Sequence, residues 1–149
     1  MLTVTKEVTW DMAHRLDNHP GLCKNLHGHT YKLQATFAGK KVVNGMVADF
    51  GNLSKMLKRI AEQLDHICLL NSSSERDNRI GGLLSTEGCK VLFLSVPPTA
   101  ENMLDYISTL IKVYMSVYTK EYAGIKLARL RLYETPTSFA EVEYDLSGD

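Results

Sequence analysis

His27-Gly28-His29-Thr30-Tyr31-Lys32-Leu33-Gln34-Ala35-Thr36-Phe37 decides the fold. From Thr30 onward, Tyr31, Leu33, Ala35 and Phe37 face one way and Thr30, Lys32, Gln34 and Thr36 the other, the period of a half-buried strand. A strand opening at Gly28 also throws His27 and His29 out on a single face, where both imidazoles reach one ion. Upstream, Leu2, Val4, Val8 and Trp10 alternate with Thr3, Thr5, Glu7 and Thr9 in a second such strand. Between the two, Asp11 to Leu26 loses alternation and carries Asn18, Pro20 and Gly21, so it reads as a loop from His14 toward Cys23. Downstream, turns at Gly39-Lys40-Lys41 and Asn44-Gly45 lead into a short strand, Met46 to Ala48, closing a hairpin.

The last quarter alternates again, from Ile125 to Glu134 and from Ser138 to Leu146 around Thr135-Pro136-Thr137. Ala128, Leu130 and Leu132 oppose Arg129, Arg131 and Tyr133, while Ala140, Val142, Tyr144 and Leu146 oppose Glu141, Glu143 and Asp145. One sheet face is therefore apolar and the other charged, with Arg and Glu able to pair across strands. Leu53, Leu57, Ile60 and Leu64 recur at helical spacing from about Gly51 to Asp65, with Asp49 as N-cap. A second helix follows Thr99, its cap, along Met103, Ile107, Leu110, Tyr114 and Val117. Asn71 to Gly88 reads as a polar irregular insertion, and Val91 to Val96 as a brief apolar strand. The sum is an α+β chain: an antiparallel four-stranded sheet with two helices packed on one face, in a single domain over residues 1–149.

Composition narrows the function. Lys and Arg number 17, as do Asp and Glu, so no broad basic field invites nucleic acid or an anionic membrane. The three cysteines form no CxxC pair and no even set, which argues against a disulfide framework and suits a reducing cytosol. The first residues lack a signal-peptide layout, and no apolar run approaches the ~20 residues that span a bilayer. A soluble, unprocessed cytoplasmic protein is expected.

Chemistry concentrates in Cys23-Lys24-Asn25-Leu26-His27-Gly28-His29 together with His14. Three imidazoles with an open fourth position suit catalytic zinc, though iron, copper and nickel also take imidazole. Cys23 lies four residues before His27 in a polar loop, where a nearby cation favours the thiolate. Cys68 and Cys89 have apolar neighbours and read as inert. Asp65-His66 closes the first helix and can serve as an acid–base pair or as a plain cap. Glu134, beside a turn, suits a cationic or amide-like ligand edge, whereas Glu101 reads as a first-turn acid complementing the helix dipole.

Six segments in order complete the pattern: Ala13-His14-Arg15-Leu16, Cys23 to His29, Gly45-Met46-Val47-Ala48-Asp49-Phe50, Leu64-Asp65-His66 with Leu70-Asn71, Pro98-Thr99-Ala100-Glu101-Asn102, and Glu134-Thr135-Pro136-Thr137-Ser138. In these the chain resembles the 6-pyruvoyltetrahydropterin synthase superfamily. The three residues between Cys23 and His27, with Asp49-Phe50, resemble its queuosine-pathway branch, 6-carboxytetrahydropterin synthase. The resemblance implies a tunnelling fold, with sheets joined into a barrel across subunits, two trimers stacked into a homohexamer, and active sites between subunits. It implies that His14, His27 and His29 bind Zn2+, that Cys23 is the general base, and that Asp65 and His66 complete the proton relay. Glu134 and Thr99 would hold the pterin, and Arg15 or Lys24 would meet the triphosphate. The implied lyase reaction turns 7,8-dihydroneopterin triphosphate into 6-carboxytetrahydropterin, acetaldehyde and triphosphate. Two alternatives stand beside it: a 6-pyruvoyltetrahydropterin synthase on the same fold, and a pterin- or zinc-binding protein without turnover.

Overall fold

The computed structural model describes residues 1–41 and 43–147. Two long strands, β1 (Leu2–His14) and β2 (His27–Gly39), pair antiparallel along their whole length, from Leu2 opposite Gly39 to His14 opposite His27. The alternation of β2 is realised as read: Tyr31, Leu33, Ala35 and Phe37 are buried. The expected short strand at Met46–Ala48 does not form. Asn44 and Gly45 both adopt positive φ, 68° and 76°, and turn the chain so that Val47 packs into the core instead of pairing with β2.

Helix α1 (Phe50–Leu64) starts where Asp49 accepts a hydrogen bond from the Gly51 amide at 2.6 Å. Its buried stripe, Leu53, Met56, Leu57, Ile60 and Leu64, lies on the apolar sheet face. The chain then runs through β3 (Cys68–Asn71), α2 (Glu75–Thr86) and β4 (Val91–Leu94). Helix α3 (Ala100–Val117) is capped by Thr99 and buries Met103, Leu104, Ile107 and Ile111; Val117, at the far end of the expected stripe, is exposed. Strands β5 (Ile125–Thr135) and β6 (Ser138–Glu143) form the last hairpin.

Strand order is β4-β3-β1-β2-β5-β6, with β3 parallel to both β1 and β4. The expected antiparallel four-stranded sheet with two helices is thus a six-stranded mixed sheet with three helices among the described residues. The physical reason lies in two signals. Cys68-Leu69-Leu70 is an inner parallel strand buried on both faces, so it shows an apolar run and no alternation. Gly81-Gly82 resembles a break, yet Gly81 sits inside α2 because a Cβ there would come 2.4 Å from the Phe93 ring. The glycine lets the helix lie close on the sheet.

Ala128 departs from its expected face. The register with β2 slips between Thr36 and Phe37, which pair with Arg129 and Leu127, so Ala128 is the extra residue of a bulge. Ile125, Leu127, Leu130 and Leu132 are the buried set. The opposite face is polar, as expected, with Arg131 Nε donating to Glu141 Oε2 at 2.5 Å across the hairpin. No helix among the described residues is long and apolar enough to cross a membrane.

Candidate active site

The β1–β2 register builds the centre of the site. It sets His14 opposite His27, and the period of two brings His29 to the same side. The three ring nitrogens lie within 4.8 Å of one another, and His14 Nε2 is 3.1 Å from His27 Nε2. Backbone carbonyls fix the far edges of two rings: His14 Nδ1 is 2.8 Å from the Pro98 oxygen and His27 Nδ1 2.7 Å from the Asn25 oxygen. A carbonyl only accepts, so in both rings Nδ1 carries the proton and the Nε2 lone pairs face each other. That contact is repulsive unless a cation lies between them. Burial holds the His14 and His29 pKa values below the usual histidine range. His29 Nε2 is buried with no hydrogen-bond partner among the described residues. These three donors fit a metal ion, with the carbonyls as the outer contacts that metal-binding histidines use.

Glu134, at the end of β5, closes one side of the cluster. Its Oε2 is 3.8 Å from His14 Nε2 and its Oε1 3.7 Å from His29 Nε2. It also borders a cavity of about 320 Å³ shared with Thr99, Glu101 and Phe139. Glu101 therefore faces this cavity besides sitting at the start of α3, a placement that its position in a first turn concealed. Tyr31 is another residue that sequence reasoning left in the core. Its ring meets those of His14 and His29 edge-on at 6.0 and 5.6 Å, and its hydroxyl is buried without a partner among the described residues. Burial chiefly, then the charges of Glu134 and Cys23, push its phenol pKa up.

Cys23 sits half-buried in a short 3-10 turn, Leu22–Lys24, whose Cys23 carbonyl accepts from the Leu16 amide at 2.8 Å. The turn leads through Asn25 and Leu26 into His27, the first residue of β2. Of the other cysteines, Cys68 is buried and its thiol pKa pushed up to about 11, while Cys89 is exposed.

Asp65 and His66 form a pair, Oδ1 to Nδ1 at 2.9 Å. The Asp11 amide donates to the same Asp65 oxygen at 3.1 Å, and that bond first, then His66, lowers the Asp65 pKa. His66 adopts a left-handed φ of 57°, its amide bonded to the Asp11 carbonyl at 2.7 Å. Its side chain is 73% exposed and borders a shallow cleft with Asp11, Gly28 and Thr30, which Met12 and His29 also line. Those three residues alternate with Met12, His27 and His29, so they lie on the opposite sheet face. Within one chain, then, His66 shares a cleft with His29, while the His14 and His27 rings point to the other face.

Arg15, expected at the triphosphate, is engaged within the chain. It is 4% exposed, ion-paired with buried Asp77 and bonded to Asp17 Oδ1 and the Lys24 carbonyl, each at 2.9 Å. Its donors face inward to protein acceptors. Lys24 is exposed.

The sequence profile of 6-pyruvoyl tetrahydropterin synthase matches residues 3–145. This chain belongs to that family. It is 36% identical, over 96% of its length and 99% of the relative's, to the 6-carboxy-5,6,7,8-tetrahydropterin synthase of Haemophilus influenzae. It is 33% identical to the protein of that name from Rickettsia bellii, over 95% of this chain and 100% of the other. The solved 6-pyruvoyl tetrahydropterin synthase of Plasmodium falciparum superposes with a TM-score of 0.73 at 21% identity, covering 96% of this chain and 97% of that one. At that identity the likeness is one of fold.

Proposed function

We propose that this family member is a 6-carboxytetrahydropterin synthase, a lyase of the queuosine pathway acting in the cytoplasm. Its reaction converts 7,8-dihydroneopterin triphosphate and water into 6-carboxy-5,6,7,8-tetrahydropterin, acetaldehyde and triphosphate. Full-length relatives of that name support the substrate and product. The observation that carries the reading is the convergence of the His14, His27 and His29 nitrogens, two of them with Nδ1 tied to a carbonyl. The three imidazoles would hold Zn2+, which would supply Lewis acidity at the substrate's side chain.

The chain's own groups do the rest. Cys23, as the base, removes the proton next to the side-chain oxygens. Glu134 and Thr99 hold the pterin in the cavity they share, the carboxylate accepting from its amide-like edge. Asp65 orients His66 through the 2.9 Å contact, and His66 returns a proton to the ring. In a homohexamer built from two trimers, the 73% exposed His66 side chain serves a site on a neighbouring copy. Lys24, exposed next to Cys23, is the cation available to the triphosphate.

The test is to follow acetaldehyde and triphosphate released by the zinc-loaded protein from 7,8-dihydroneopterin triphosphate. Equal amounts of both are expected. Triphosphate without acetaldehyde would instead assign the pyruvoyl-forming reaction, and neither would leave a binding protein. Cys23→Ala is expected to keep its metal and lose turnover.

A further inference from the structure

Helix α2 is wired to the turn that carries Cys23. Asp77, in its first turn, is 0% exposed and ion-paired with Arg15 Nη1, while its other oxygen accepts from the Asn71 amide at 3.0 Å. Arg15 directs Nε to the Lys24 carbonyl at 2.9 Å, and the neighbouring Leu16 amide holds the Cys23 carbonyl at 2.8 Å. The peptides on both sides of Lys24 are therefore fixed by Arg15-Leu16. Asp17 completes the network: it takes Arg15 Nη2 at 2.9 Å, Arg76 Nη1 at 2.7 Å and the hydroxyl of Ser74, the α2 cap, at 2.7 Å. The two arginines balance the two aspartates.

Stability is a weak reason for such an arrangement, since apolar side chains of like volume often do as well as a buried ion pair. Geometry is a better one. A guanidinium is planar, and its donors point in fixed directions, so Asp77 sets the plane of Arg15 and hence where Nε meets the Lys24 carbonyl. We propose that Asp77, acting through Arg15, is a positioning residue that fixes the Cys23 turn against the histidine pocket. Helix α2 is then part of the active-site scaffold. This inference rests on the reading of Cys23 as the base.

The test uses the zinc-loaded full chain with Asp77→Asn and Arg15→Lys. The lysine keeps a cation for Asp77 but cannot also supply the fork to the Lys24 carbonyl. Arg79→Ala, an exposed position on the same helix, is the control. Three quantities are read well below each variant's melting temperature: kcat and KM, metal per chain, and the rate at which iodoacetamide alkylates Cys23 in a Cys68→Ala, Cys89→Ala background. Both variants are expected to lose about 10- to 100-fold in kcat, the scale on which small misplacements act, with KM and metal content little changed. Their Cys23 alkylation rates shift several-fold, and the control matches wild type. Folded variants with wild-type kcat and alkylation overturn the proposal, as does a loss of activity that only tracks the unfolded fraction. If Asp77→Asn does not fold, Arg15→Lys decides by the same criteria. An active Cys23→Ala would remove the base assignment itself; an inactive one beside an unaffected Asp77→Asn would remove only the positioning role.

Discussion

Mixing two inactive variants tests the division of the site between sheet faces. His66 borders the cleft with Asp11, Gly28 and Thr30, which His29 also lines, whereas His14 and His27 project from the other face of the same strands. On the proposed function, a substrate at the histidines of one chain meets Cys23 of that chain and His66 of another. Cys23→Ala and His66→Ala are each expected to be inactive alone. When they are co-expressed in equal amounts and assemble at random, each site draws its Cys23 half and its His66 half from different copies, each intact with even odds. About a quarter of the sites are then wild type in composition, and turnover per site should reach about a quarter of normal. A site confined to one chain gives no recovery, because every chain lacks one half. The assay is acetaldehyde release by doubly tagged oligomers that contain both variants. Activity remaining at the level of the separate variants would refute the two-face reasoning.

Other outcomes follow from single contacts. His29→Ala removes one of the three converging nitrogens and should weaken metal affinity by more than the ~10- to 100-fold typical of losing an outer-shell partner, measured by competition with a chelating dye. The metal-free protein should lose stability as pH falls below about 6.5. His14 and His29 stay neutral when folded but take up protons when unfolded, so the unfolded state binds more protons and the slope is at most ~1.4 kcal/mol per pH unit for each histidine. Asp17 and Asp65, whose pKa values are lowered, add to the loss only nearer pH ~4, and a urea midpoint unchanged from pH 7.5 to 5.5 would contradict the assignment. Asp49→Ala removes the cap of α1 and should cost about 1 kcal/mol, a fall in melting temperature of roughly 2–4 °C, with kcat unchanged.

Much of this molecule can be read in its sequence, and the gaps have physical causes. Alternation marked β1, β2 and β5 because each buries residues of one face, and β6 because Ala140 and Val142 are half-buried against the core while their neighbours are exposed. The metal cluster was legible for the same reason: an i, i+2 pair of histidines on a strand must share a face. Strand β3 escaped because it is buried on both faces, and α2 because its Gly81 serves contact with Phe93 and not chain reversal. The bulge at Ala128 could not be seen either, since it depends on how β5 slips against β2. The internal pairing of Arg15 was not legible because its partner Asp77 lies 62 positions away, and nothing local shows that a cation beside His14 is neutralised from within. Asp65-His66 was visible as a pair, but only the fold shows which side of the sheet it faces.

The most direct measurement of the central claim is the mass of the pterin formed when the zinc-loaded protein consumes 7,8-dihydroneopterin triphosphate. A product matching 6-carboxy-5,6,7,8-tetrahydropterin is the predicted result. A pterin retaining the three-carbon side chain, or unchanged substrate, would contradict it.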